Sequence, residues 1–377
     1  MIIIIDDKIP YIKGVFEPFA EVIYLSGDKT TPEIAKNADA IITRTRTICN
    51  KDLLEGSSVK FITTTTVGYD HIDTEYCQKA GIKWVNSPGC NSESLNQYVA
   101  SALFALATRK GFDLAEKTIG IVGVGNVGRR VAKTCETIGM RVLLNDPPRE
   151  RNEKTGNFVS LEKIRQEADI ITFHVPLSMK GEDATFHLVD EYFLQNSDKK
   201  PFLINSCRGD VFDMKAIYKA LKTNNISGAI LDCWNNEPDI DLELLNLTEI
   251  GTPHIAGYSK DGKANGTTMC VQALSRFFNL GIDNWKPENI ELPPKPVIEI
   301  DGNRRNECSI LAEAILSTYD IEFDDKLLRE SPHLFESFRG DCYPVRREFT
   351  AYTVKAKNIE EKTLAKLKTL GFNVISV

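Results

Sequence analysis

A strand that runs straight into a G-x-G-x-x-G turn leaves a chain few folds to choose from, and this one carries it at Thr118-Ile-Gly-Ile-Val-Gly-Val-Gly-Asn-Val-Gly128. An apolar run precedes the glycines and a helical pattern over 129–138 follows them. Gly123 allows the tight turn, Gly125 lets a pyrophosphate approach the backbone, and Gly128 permits close helix–strand packing. The helix start behind them, with Asn126 and Val127 in the turn, favours an anion. The next strand, 141–145, ends at Asp146, about twenty residues past the last glycine. A carboxylate there accepts hydrogen bonds from ribose hydroxyls and repels a 2′-phosphate, so the pattern selects NAD over NADP. Arg149, just past Pro147 and Pro148, is the one nearby group that argues the other way.

Around this turn the sequence alternates short β-branched runs with helical patterns, which implies parallel strands joined by helical crossovers. Runs at 2–6, 21–24, 40–43, 60–64 and 83–86 read as strands of a first lobe, with helical stretches at 32–37 and 72–80 between them. Runs at 118–122, 141–145, 170–173, 202–205, 229–231 and 249–251 make a second, complete doubly wound sheet. A long helical pattern over 92–109 places Leu95, Val99, Leu103 and Leu106 on one face. Another, over 260–279, returns the chain to the first lobe. Pro287, Pro293, Pro294 and Pro296 mark an extended linker, and beyond it come strand 297–300, helix 307–316, strand 349–354, helix 359–369 and strand 373–376.

The expected architecture is therefore α/β, with two doubly wound parallel-sheet lobes. Residues 93–256 form a Rossmann NAD domain, and 1–92 with 257–284 form a flavodoxin-like substrate domain. Residues 285–377 form a small C-terminal α+β domain. Being small, that last block needs a partner subunit to complete its core, so a homodimer through it is expected. The pair Arg346-Arg347 inside it is expected on a solvated face.

The net charge of −7 argues against a nucleic-acid partner, which wants a basic face, and an anionic substrate must be drawn in by local arginines. Cys49, Cys77, Cys90, Cys135, Cys207, Cys233, Cys270, Cys308 and Cys342 are scattered, with no C-x-x-C pair and no histidine at metal-ligand spacing. They read as reduced thiols, and no metal is expected. The first residues, Met1-Ile-Ile-Ile-Ile-Asp6, lack a basic leader, and no run approaches ~20 apolar residues, so no membrane span is expected and the cytoplasm is the expected location.

Three further motifs sit at strand ends of the second lobe: Ile204-Asn-Ser-Cys-Arg-Gly-Asp210, Leu231-Asp-Cys-Trp-Asn-Asn-Glu-Pro238 and Gly251-Thr-Pro-His-Ile-Ala-Gly-Tyr258. With them the chain resembles the D-isomer-specific 2-hydroxyacid dehydrogenases, whose signatures carry an arginine before glycine, a glutamate before proline, and a histidine within Thr-Pro-His-Ile-Ala-Gly. The resemblance implies Arg208, Glu237 and His254 as catalytic residues. It also implies cofactor contacts at Val175, Ser206, Cys207, Arg208, Asp232 and Gly257, beside Gly123, Gly125, Asn126, Val127, Gly128 and Asp146. Val175 stands where threonine is common in this pattern, which removes a polar contact to NAD. Cys207 reads as a small packed side chain, since hydride transfer needs no thiol.

The chemistry agrees with the resemblance. Oxidising an alcohol sends a hydride to nicotinamide and a proton to a base, and a histidine with an ordinary pKa of ~6.5 suits that base role. A carboxylate partner would orient the imidazole and favour its charged form. The planar fork of an arginine can hold a carboxylate and polarise the developing keto oxygen. By the same resemblance Thr45, Thr66 and Tyr258 contact substrate. Arg44 and Arg46, which follow a strand, are read here as ligands of a phosphate at the substrate's far end. The expected reaction is NAD-dependent oxidation of a small phosphorylated 2-hydroxy acid, with another phosphorylated or plain D-2-hydroxy acid as alternative substrate. A nicotinamide-sensing interaction protein is the alternative from another class.

Overall fold

The computed structural model describes residues 1–153, 157–195, 199–339 and 343–377. Cys342 lies outside them, and the other eight cysteines are free. Strands β1 (Ile2–Asp6), β2 (Glu21–Leu25), β3 (Ala40–Thr43), β4 (Phe61–Thr64) and β5 (Lys83–Val85) form one parallel sheet in the order β2-β1-β3-β4-β5. β3 and β4 are buried at every position, which is why they read as unbroken apolar or β-branched runs. The helix Lys260–Phe278 covers this sheet, stacking Phe277 on Phe61 at 4.7 Å and seating Cys270 against Thr63. By packing, Met1–Asn91 and Ser259–Glu291 form one compact unit, and Ser92–Tyr258 with Leu292–Val377 form the other.

The second unit holds β6 (Thr118–Val122), β7 (Arg141–Asn145), β8 (Ile170–Phe173), β9 (Phe202–Asn205), β10 (Gly228–Leu231) and β11 (Ile250–Gly251). All are parallel, in the order β11-β10-β9-β8-β6-β7. Outside β7 an isolated parallel bridge joins Leu144 to Phe158. The doubly wound sheets expected for both lobes are thus present, and β6, β7, β8 and β9 have the expected bounds.

A third, smaller sheet in the same unit runs β12 (Val297–Asp301), β13 (Thr353–Lys357), β14 (Asn373–Ser376), also parallel. Its inner residues Ile298, Ile300, Val354 and Ala356 pack with Leu311 and Ile315 of helix Glu307–Leu316 and with Leu364 and Leu367 of helix Glu361–Leu370. The same core takes in Tyr98, Leu103 and Phe104 of helix Ser92–Lys110, whose buried residues lie all round its axis rather than on one stripe.

Two elements depart from the sequence reading. The strand expected at 349–354 lies at Thr353–Lys357, because Phe349–Ala351 turns as a short 3₁₀ segment that buries Phe349. The helix Ile321–Glu330 falls where the sequence pattern shows no element, because its run of acids hides an inward face, with Asp324 and Asp325 buried. Arg346 and Arg347 are also buried, at 4% and 8% exposure, so the expectation of a solvated basic pair is corrected.

Burial pushes the Asp324 carboxyl up to about 6, against the hydroxyls of Tyr319 and Tyr343 that donate to it at 2.8 Å. A raised folded-state pKa means the folded chain takes up this proton while the unfolded chain does not, so stability rises as pH falls from about 6 to about 4. Relative to Asp324→Asn, the native protein should gain about 3 kcal/mol in unfolding free energy between about pH 7 and about pH 4. Urea titrations of both proteins check this, and parallel pH profiles would refute it.

Candidate active site

The glycine turn joins β6 to the helix Gly128–Ile138. Gly123 takes φ +87° and packs against the carbonyl of His174 and the side chain of Val175, while a Cβ on Gly128 would lie 2.0 Å from the carbonyl of Gly123. Around Gly125, by contrast, a Cβ would meet nothing within 4 Å, so the backbone there lies open. No side chain caps the helix behind it, and no acid stands in its first turn. Its leading amides suit an anion.

Asp146 closes the turn from the end of β7: its carboxylate accepts from the amides of Val124 at 2.8 Å and Arg149 at 3.1 Å. A carboxylate has about four acceptor sites, so this leaves capacity for ribose hydroxyls. Arg149 is bound bidentately by Glu153 at 2.7 and 2.8 Å and also donates to the carbonyl of Val124. Held this way, it is not presented to a 2′-phosphate. At the end of β9, Ser206 has a buried hydroxyl with no hydrogen-bond partner among the described residues. The open cradle, the uncapped helix and this hydroxyl together fit a dinucleotide.

Three strand ends then build an acid–base pair. Asp232 follows β10 and is 1% exposed. One of its oxygens accepts from the Thr252 hydroxyl and the Ile255 amide, both at 2.7 Å, and the other from the Ala256 amide at 2.9 Å. Because Thr252 donates to the carboxylate, the buried Tyr98 hydroxyl, 2.8 Å away, donates to Thr252. Burial raises the Asp232 pKa, while nearby His254 and these hydrogen bonds pull it down.

Asp232 thereby fastens the chain on both sides of His254, whose φ of +52° lies in the left-handed region. That conformation costs a histidine about 1–3 kcal/mol unless its surroundings hold it. His254 Nδ1 donates to Glu237 Oε2 at 2.7 Å. Glu237 is aimed by its other oxygen, which accepts from the Trp234 amide at 2.8 Å, and the Trp234 indole N–H donates to the Thr252 carbonyl at 2.9 Å. The imidazole is thus held through one nitrogen, and the opposite nitrogen, Nε2, is the one positioned to take a proton.

Arg208 leaves β9 in extended backbone just before Gly209, where a Cβ would sit 2.2 Å from the carbonyl of Trp234. That close approach explains why glycine follows the arginine and links the Arg208 and Glu237 motifs. One Arg208 nitrogen donates to the Cys207 carbonyl at 2.8 Å, and the Asn205 amide holds the Arg208 carbonyl at 2.9 Å. The Cys207 thiol is buried, bonded to Asn205, and pushed by burial up to about 11, so it is a packed side chain. Cys233, Glu237 and His254 place possible metal-ligand atoms within 4.8 Å of one another. Burial holds the Cys233 thiol well above its ordinary pKa, and the other two bond each other, so the trio reads as an acid–base pair beside a thiol. His174, half-buried with its Nδ1 enclosed, is driven down to about 3 by desolvation and stays neutral. Gly257 lies in the turn that Tyr258 closes by donating its amide to the Ile255 carbonyl at 2.9 Å.

In the first unit, Arg44, Thr45 and Arg46 follow β3 as a loop, half-buried at Arg44 and exposed at Thr45 and Arg46. Among the described residues neither arginine forms an ion pair within 4 Å, although the Ser26 hydroxyl and, more weakly, the Arg46 charge hold the Asp28 carboxyl below its ordinary pKa; Arg44 makes one long contact, 3.4 Å, to the Lys8 carbonyl. Thr66 sits beyond β4, its hydroxyl 2.8 Å from that of Thr64 and donating to the Gly68 carbonyl at 2.7 Å. The sequence offers no signal for the parts played by the Tyr98 hydroxyl and the Trp234 indole, which act through tertiary hydrogen bonds.

Comparison with known proteins agrees. The model of the D-isomer specific 2-hydroxyacid dehydrogenase NAD-binding domain matches residues 91–256, and one of a domain of unknown function matches 291–371. The chain belongs to this family of NAD-dependent dehydrogenases. Among its relatives, the erythronate-4-phosphate dehydrogenase of Bacteroides thetaiotaomicron is 50% identical over 94% of this chain and 99% of its own. That of Proteus mirabilis is 39% identical over 99% of each. Among solved structures, a D-lactate dehydrogenase from Aquifex aeolicus complexed with NAD and lactic acid aligns with TM-score 0.63 and 26% identity, covering 75% of this chain and 96% of that one.

The contrast between the glycines gives a test of the cradle. Gly125→Ala should fold with an unchanged melting temperature yet bind NAD at least about tenfold more weakly, whereas Gly128→Ala should lower both. Titration of NAD against protein fluorescence, beside thermal melts, checks the pair. Undiminished affinity in Gly125→Ala would mean that no pyrophosphate approaches that backbone.

Proposed function

We propose that this chain oxidises 4-phospho-D-erythronate to its 2-keto acid, 2-oxo-3-hydroxy-4-phosphobutanoate, with NAD, as a cytoplasmic step toward pyridoxal 5′-phosphate. The observation that carries the reading is the His254–Glu237 pair, held in a loop whose backbone is fixed by Asp232. When bound, NAD supplies the hydride acceptor. His254 takes the hydroxyl proton at Nε2, and Glu237, accepting from Nδ1–H, keeps the tautomer that leaves Nε2 free and stabilises the cation that forms. Arg208 is assigned to the substrate carboxylate and to the oxygen that becomes the keto group, which the planar fork of a guanidinium can bind and polarise. Arg44 and Arg46, which form no ion pair within 4 Å among the described residues, are assigned to the phosphate, with Thr45, Thr66 and Tyr258 as further substrate contacts. The relatives' shared name supports the choice of substrate.

His254→Ala should lose roughly 100- to 10,000-fold in kcat, the usual worth of a general base, while NAD binds as before. NADH formation against a panel of hydroxy acids tests the substrate. A higher kcat/KM for glycerate 3-phosphate than for erythronate 4-phosphate would overturn the specific assignment, and loss of NAD affinity in His254→Ala would make that residue structural.

Treated as a third domain, residues 285–377 are proposed to carry a homodimer interface. The outward face of its sheet leaves Val297 and Ile375 exposed at 43% and 52%, beside the exposed Glu299 and Lys355, which supports a covering surface of mixed character. Ile375→Asp should shift the species seen by light scattering from dimer to monomer, and an unchanged mass would remove this face from the interface.

A further inference from the structure

The block matched by the domain of unknown function grips the His254 segment at three places. Asp325 accepts the Gly251 amide at 2.7 Å in a buried position. Arg329, held by Asp325 at 2.9 Å, donates to the carbonyls of Leu245 at 2.7 Å and Thr248 at 3.0 Å. Arg346 reaches furthest, donating to the Ile255 carbonyl at 3.2 Å, the Ser94 carbonyl at 2.6 Å and the Gln97 side chain at 2.8 Å. Its guanidinium carbon lies 3.8 Å from the centre of the Tyr319 ring.

The Ile255 contact falls on one particular peptide. The unit joining Ile255 to Ala256 has its N–H on Asp232 and its C=O on Arg346, which shares that carbonyl with the Tyr258 amide at 2.9 Å, while the Ile255 N–H is also on Asp232. The backbone just after left-handed His254 is therefore clamped from opposite sides, once from β10 and once from the C-terminal block. The Tyr343 ring meets Tyr258 edge-on at 5.5 Å, so the same block also touches a residue assigned to substrate.

We propose that Arg346 is a positioning residue for His254: it holds the Ile255 carbonyl so that the imidazole stays on Glu237 with Nε2 presented. The C-terminal block then has a part in the chemistry of its own chain. This rests on the reading of His254 as the base. Lysine can replace the fork only in part, because holding three acceptors in three directions needs the planar guanidinium.

The test is steady-state kinetics with the full chain and erythronate 4-phosphate. Arg346→Met should lower kcat at least about 30-fold, with KM for the acid and Kd for NAD within about threefold, and Arg346→Lys should recover part of the loss. Wild-type kcat in Arg346→Met would overturn the proposal, as would an equal collapse of NAD affinity and kcat, which marks a purely structural residue. If Arg346→Met does not fold, Arg346→Lys decides alone: a fall in kcat of at least about fivefold at unchanged NAD affinity supports the role, and native kcat refutes it. The two readings fail separately. Full turnover in His254→Ala removes the base itself, whereas inactive His254→Ala beside a native-like Arg346→Met removes only the positioning role.

Discussion

The buried carboxylate of Asp232 is the interaction on which the catalytic geometry depends. It sits one residue past β10 and spends both oxygens on the segment that leaves β11, accepting from Thr252, Ile255 and Ala256. Parallel strands end side by side, so a side chain just beyond one strand can order the loop beyond the next. The loop so ordered holds a histidine in a backbone conformation it would not choose alone. Burying a charge is costly unless every lone pair finds a donor, and here the donors are the groups whose placement matters. Removing Asp232 would free His254 from its backbone setting before it touched the imidazole itself.

Glycine plays the complementary part, letting backbones approach where side chains could not. At Gly209 a Cβ would strike the carbonyl of Trp234, and Trp234 is the residue whose amide aims Glu237. The Arg208 and Glu237 motifs are therefore one structure seen at two places in the sequence. The Thr252 carbonyl, which takes the Trp234 indole proton, brings in the third. This accounts for the three motifs standing together in one chain: each supplies a contact that the next needs.

Much of this was legible in the residues. Strands buried on both faces show as unbroken β-branched runs, and the glycine turn with Asp146 announces a dinucleotide cradle because each of its residues answers a steric or electrostatic demand of that ligand. What stayed hidden depends on tertiary partners. Asp324 and Asp325 look solvent-facing in an acidic stretch, yet both point inward, one taking tyrosine hydroxyls and the other a backbone amide. Arg346 looks like half of a surface basic pair, but its acceptors lie far back in the chain at Ser94 and Gln97 and near His254 at Ile255. No local pattern encodes an acceptor some 250 residues away, so charge in a sequence is a poor guide to exposure when the matching carbonyls come from elsewhere.

The same reasoning explains why the helix Ser92–Lys110 has no solvent stripe. Its sequence mixes alanine and serine with leucine and aromatic residues around the whole circumference, a composition suited to burial on every side. One side meets Val131 and Cys135 of the helix after the glycine turn, and another meets Leu311, Ile315 and Tyr319 of the C-terminal block, within one continuous core. Ser94 and Gln97, which hold Arg346, and Tyr98, which holds Thr252, lie on this helix within little more than one turn. The helix is therefore the shared support through which the C-terminal block and the His254 loop are kept in register. A small parallel sheet that buries only one face gains a fixed neighbour from this arrangement, and the catalytic loop gains a second wall.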